Sequence, residues 1–160
     1  MATYEPIQTN TLTSNSSSIT FNGIPQSYTD LILVTYALNT GGNTDLFLRF
    51  NNDTGANYVY QWLSNSATGT VNNTANVRMG YYALPQSTFE FTSQTDIIDY
   101  TSTQKYKSFI TRADAANVGG GDAIVGTYRS LSPITRIDIV VNGGSFGVGS
   151  RFTVFGVKSA

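Results

Sequence analysis

Short runs in which apolar and polar residues alternate recur along this chain, separated by clusters of Gly, Asn, Asp, Ser and Pro, and nowhere does an apolar face repeat with the period of a helix. Successive side chains of a strand point to opposite faces, so the pattern predicts strands packed on one side. Residues 17–22 set Ile19 and Phe21 on one face and Ser18 and Thr20 on the other, and Gly23 and Pro25 then turn the chain. Residues 30–38 differ: Leu31, Ile32, Leu33 and Val34 follow one another, so both faces are apolar. That is the pattern of a central strand covered on each side or lying at a subunit contact. Residues 45–50 place Leu46, Leu48 and Phe50 together, and the run 51–55 predicts a hairpin-like connection to a strand over 57–63.

The polar segment 64–76 reads as a protruding surface loop. Shorter strands are predicted over 77–82 and 88–92, while 96–103 reads as ambiguous, with a single helical turn as one option. Further strands are predicted over 106–112, 123–128 and 135–141, the first two divided by Gly119, Gly120 and Gly121. In 151–158, Phe152 and Val154 share one face and Phe155 and Val157 the other, which predicts a closing strand between two neighbours rather than an edge. About nine strands with closely spaced turns imply an all-β fold, a single antiparallel β-sandwich of jelly-roll-like type over residues 17–160. Residues 1–16 lack strong periodicity and are expected to be an extended N-terminal arm that orders only on contact with a neighbour. No internal repeat or second domain is visible.

Composition narrows the chemistry. The 160 residues suit one domain, which at this size buries roughly 68–70% of the surface of its unfolded chain. They contain no His and no Cys. Without imidazole or thiolate, neither a Ser-His-Asp triad, a cysteine nucleophile nor a Cys/His zinc site can be built. Ser, Thr and Asn supply 52 residues while charged residues make up only 12%, so hydroxyls and amides dominate the surface. Nine Lys and Arg against ten Asp and Glu give no electrostatic footing for nucleic acid. No run is long and apolar enough for a helical membrane span, and residues 1–10 lack the basic and apolar regions of a secretory signal, so a soluble chain made in the cytoplasm is expected. The sequons at Asn15, Asn52 and Asn72 are chance matches in so Asn-, Ser- and Thr-rich a chain.

Four constellations stand out. Tyr58, Tyr60 and Trp62 lie at spacing two on one strand face, which fits a core face, an interface anchor for a subunit or partner, or a platform for stacking on sugar rings. Glu90, Asp96 and Asp99 lie close in sequence, as a glycoside-hydrolysing carboxylate pair must in space, but Glu90 sits between Phe89 and Phe91 and so faces solvent. Asn51, Asn52, Asp53 and Thr54 offer oxygens to calcium and are equally common turn formers, and the turn is the reading taken. The glycine runs 119–121 and 143–149 precede strands, not helices, and so read as hairpin loops or bulges rather than phosphate cradles. The scattered Arg49, Arg78, Arg112, Arg129, Arg136 and Arg151 form no basic stripe; their stems are expected to cover apolar surface and their heads to pair with carboxylates or a partner. No catalytic site, cofactor or metal site is expected.

Three segments carry a resemblance: Ser16-Ser17-Ser18-Ile19-Thr20-Phe21-Asn22-Gly23-Ile24-Pro25 continuing to Leu33, Leu48-Arg49-Phe50-Asn51-Asn52-Asp53-Thr54-Gly55-Ala56-Asn57-Tyr58, and Gly149-Ser150-Arg151-Phe152-Thr153-Val154-Phe155-Gly156-Val157. In these the chain resembles small β-sandwich virion structural proteins of tailed bacteriophages, of the capsid decoration (cement) or tail-associated type. The resemblance spans the chain, so a complete protein of this type is expected. It implies a non-enzymatic protein on the outer surface of the virion, made in the host cytoplasm, with the major capsid protein and its own copies as partners. The form favoured is a decoration protein, a homotrimer at three-fold or quasi-three-fold positions. The alternative is a tail- or fibre-associated module binding a receptor or glycan, and neither nucleic acid nor membrane is an expected partner.

Overall fold

The computed structural model describes residues 3–41, 45–64, 67–80, 90–115 and 121–158. Among these residues twelve strands form two sheets. They are β1 (Thr3–Thr11), β2 (Ser18–Asn22), β3 (Asp30–Leu38), β4 (Asp45–Phe50), β5 (Tyr58–Ser64), β6 (Ala67–Thr74), β7 (Val77–Arg78), β8 (Glu90–Ile98), β9 (Lys107–Ala115), β10 (Gly121–Tyr128), β11 (Arg136–Asn142) and β12 (Arg151–Lys158). The larger sheet runs β1-β12-β3-β8-β9-β10-β5-β6 and the smaller β2-β11-β4-β7. Every pairing is antiparallel. The protein is an all-β sandwich, as the alternating pattern predicted. Early strands lie beside late ones, β12 between β1 and β3 and β11 beside β2, so the two ends of the chain are knitted together.

The alternation decides what each sheet buries. Leu31, Leu33 and Ala37 of β3, Ile97 of β8, Phe109 of β9 and Phe152 and Val154 of β12 face inward and are buried. Ile19, Phe21, Leu46, Leu48, Phe50, Ile137 and Ile139 meet them from the smaller sheet. Removing apolar surface from water is the main drive for this packing, at roughly 25 cal/mol per Å². The inner face also carries hydroxyls: Thr95 and Thr111 face each other across β8 and β9 with oxygens 2.8 Å apart. Thr35 and Ser93, partners across β3 and β8, are buried with hydroxyls that find no hydrogen bond among the described residues.

The elements differ from the sequence reading at four places. Thr3–Thr11 is no free arm: it pairs along β12 as the edge strand of the larger sheet, so residues 1–16 and 17–160 are not separate units over the described part. Its pattern was hidden because an edge strand outside the core keeps little apolar alternation, and most of its residues are exposed or half-buried. Segment 64–76 is not a loop but mostly β6, a polar edge strand hydrogen-bonded to β5 through backbone groups that composition does not reveal. The 51–55 turn does not close a hairpin, since β4 and β5 lie in different sheets and the turn carries the chain across the sandwich. Finally, 96–98 continues β8 before a turn in which Asp99 takes a positive φ of 53°. Of the predicted strands over 77–82 and 88–92, residues 81–89 lie outside the described residues, as do Gly119 and Gly120 of the glycine run.

Candidate interaction surfaces

The aromatic ladder faces inward. Tyr58 is fully buried and Tyr60 nearly so. Tyr58 stacks on Tyr128 with centroids 4.9 Å apart, and Phe50 packs against Tyr58, Tyr128 and Phe109. The Tyr58 hydroxyl accepts a hydrogen bond from the Phe50 amide at 2.8 Å and donates to the Phe50 carbonyl at 3.2 Å. Burial pushes this phenol up, and it pushes Tyr128 up to about 12. Neither Tyr58 nor Tyr60 therefore offers a ring face to a sugar or a partner. Trp62 is half-buried at the end of the ladder and packs on the core, with its ring seated over Gly69 of β6, where a Cβ would come within 2.6 Å. The period of two located these residues on one face correctly, but the choice between the two faces needs the second sheet.

The other predicted constellations disperse. Glu90 and Asp96 share the outward face of β8 six residues apart, about 20 Å at strand rise, too far for a hydrolytic pair. Glu90 accepts from the Tyr36 hydroxyl, Asp96 pairs with Arg112 at 2.8 Å, and Asp99 pairs with Lys105. In the 51–57 turn, Asn51 and Asn52 take positive φ, which Asn tolerates. Asp53 accepts from the Gly55 amide, the Asn57 side chain and the Tyr128 hydroxyl. Burial alone would raise the Asp53 carboxyl, but these bonds hold it below its usual value. The Asn51 oxygen accepts from the backbone of Thr135 and Arg136. This is turn chemistry, in which the side-chain oxygens of Asn51 and Asp53 accept hydrogen bonds from the protein itself.

Three features emerge only in the fold, the first of them with a partial signal in the sequence. The first is the outward face of the larger sheet. A solvated sheet face normally alternates to polar residues, yet here Ile32, Val34, Ile98, Ile110, Val125 and Phe155 lie on it. Val34, Ile98 and Val125 are 40%, 43% and 53% exposed. Registers align Phe155, Ile32, Ile110 and Val125 in one row across β12, β3, β9 and β10, broken at β8 by Asp96. The double apolar face of residues 31–34 was the signal, and the structure divides it: Leu31 and Leu33 enter the core, Ile32 and Val34 face out.

The second is a clamp on β1. Glu5 accepts from Lys158 and from the Tyr28 hydroxyl, and the Lys158 ammonium lies 5.3 Å from the centre of the Tyr28 ring. The hydrogen bond from Lys158, then that from Tyr28, lowers the Glu5 carboxyl.

The third is a polar concavity of about 270 Å³ on the outer face of the smaller sheet, lined by residues of β2, β4 and β11. Arg136 grips Asp138 through Nε and one terminal nitrogen, and Thr20 donates to the same carboxylate at 2.7 Å. Asp138 is almost fully buried beneath them. Arg49 stands directly opposite Asp138 across the β4–β11 pair, yet forms no hydrogen bond or ion pair with any described residue.

Compared with protein-family models, with curated proteins and with solved structures, this chain finds no match in any of the three.

Proposed function

We propose that this chain is a structural protein of a tailed-bacteriophage particle, a decoration (cement) protein that binds the assembled shell. The observation that carries the reading is the apolar outward face of the eight-stranded sheet. Apolar side chains gathered on one outward sheet face, Val34, Ile98 and Val125 well exposed among them, suit a surface made to be covered. The resemblance of residues 16–33, 48–58 and 149–157 to phage virion proteins supplies the kind of partner: the major capsid protein and further copies of the chain itself, in a homotrimer at three-fold positions. A protein that binds the closed lattice but not separate capsid subunits shifts the equilibrium toward the closed particle by mass action, with no chemical step. Surfaces rich in Ser, Thr and Asn make the surrounding contacts hydrogen-bonded and little dependent on salt.

Imaging of intact particles carrying a label on this protein tests the reading. Density spread over the shell is the expected result. Density confined to the tail would overturn it in favour of a tail-associated module, for which a specific glycan-array signal lost in Trp62→Ala is the further mark.

A further inference from the structure

We propose that the concavity between β2, β11 and β4 is an oxyanion site that takes a single carboxylate group, held chiefly by Arg49. The site does not depend on where the protein resides.

The charges set the ligand. Of the residues that line the concavity, Arg49 and Arg136 bring two positive charges and Asp138 one negative, so the lining carries one net positive charge, with Asp53 outside it but within the field of Arg49. Asp138 is fully engaged, since its oxygens accept from Arg136 and Thr20. Arg49 is the cation left over. Its Nε is buried from solvent without a hydrogen bond, a costly state for a group that donates strongly. At longer range its charge helps lower the Asp53 carboxyl, but Asp53 spends its oxygens on Gly55, Asn57 and Tyr128. An incoming monoanion neutralises the site, whereas a dianion would place surplus negative charge beside the buried Asp138. The planar guanidinium fork matches the two oxygens of a carboxylate, and Ser17, Ser18, Thr20 and Asn52 line the same concavity with hydroxyl and amide groups. The carboxylate is either that of a free small acid or an acidic side chain from another protein.

The test follows the Arg Nε–H resonances of the folded protein by ¹⁵N NMR, titrating sodium acetate against sodium chloride at constant ionic strength. In parallel, N-acetyl-glutamate amide offers the same group in protein-like form, and phosphate offers a dianion. The expected result is a saturable shift of the Arg49 resonance by acetate at concentrations on the order of millimolar, with chloride inert. Arg49→Lys, which keeps the charge and removes the fork, is expected to bind about tenfold more weakly, with the rest of its spectrum unchanged. Tighter binding of the glutamate amide than of acetate assigns the site to an acidic side chain, equal binding to a free acid, and both support it. A shift equal in chloride, wild-type affinity in Arg49→Lys, or phosphate binding more tightly than acetate would overturn the proposal.

Discussion

The rings of Tyr58 and Tyr128 stack with planes 19° from parallel and close the aromatic ladder inside the sandwich. The Tyr58 hydroxyl is at once acceptor and donor for the backbone of Phe50. Tyr58→Phe keeps the ring but leaves the Phe50 amide unpaired in the core, while the Phe50 carbonyl keeps the Asp53 amide, so a loss of about 1–3 kcal/mol is expected in chemical denaturation. Because folding raises both phenols, the folded state holds their protons more tightly than the unfolded chain does. Stability is then full below pH 10 and falls as pH rises from 10 toward 12. Tyrosinate absorbance measured with a far-UV melt at each pH checks this: both phenols should ionise only as the fold is lost.

Gly156 lies under the ring of Tyr28, so close that a Cβ would fall 2.3 Å from the ring. Gly156→Ala is therefore expected to push Tyr28 off Glu5 and loosen the start of β1, at a cost of about 1–3 kcal/mol. Hydrogen exchange should quicken in β1 before the rest of the larger sheet. In a Tyr28→Ala background the same substitution should cost much less, a coupling that a double-mutant cycle measures.

Lys107 is fully buried, and its ammonium has one protein acceptor, the Ser130 carbonyl at 2.9 Å, with no carboxylate in ion-pair range among the described residues. Burial pushes its pKa down. The unfolded chain then binds the proton more tightly than the folded one, so this residue makes stability rise with pH between its lowered folded value and 10.5. Lys107→Met removes a costly buried charge and is expected to gain about 1 kcal/mol at neutral pH. The variant's advantage should shrink as pH approaches 10.5, as thermal melts at several pH values would show.

The strands that pack on the core were legible because burial writes itself into the sequence as alternation: Ile19 with Phe21, Leu46 with Leu48 and Phe152 with Val154 all face inward as their spacing predicted. The strands missed were those that alternation cannot mark. Thr3–Thr11 and Ala67–Thr74 are sheet edges held by backbone hydrogen bonds, in which side-chain polarity reports exposure and not conformation. The outward apolar face was half legible, in residues 31–34 alone, because its other members come from strands distant in sequence and meet only through register. The Arg49 concavity was not legible at all. Arg49, Asp138 and Thr20 look like isolated polar residues until β11 pairs with both β2 and β4.

The central claim is that the outward face of the eight-stranded sheet is an assembly surface, and Val125, 53% exposed at the β10 end of its apolar row, is the residue through which to test it. Val125→Asp places a charge there without touching the core and should melt within about 1 kcal/mol of wild type. The direct measurement is co-sedimentation of wild-type and Val125→Asp protein with phage shells lacking the protein. Wild type is expected to pellet with the shells while Val125→Asp stays in the supernatant, and equal pelleting of the two, or wild type remaining in solution, would contradict the claim.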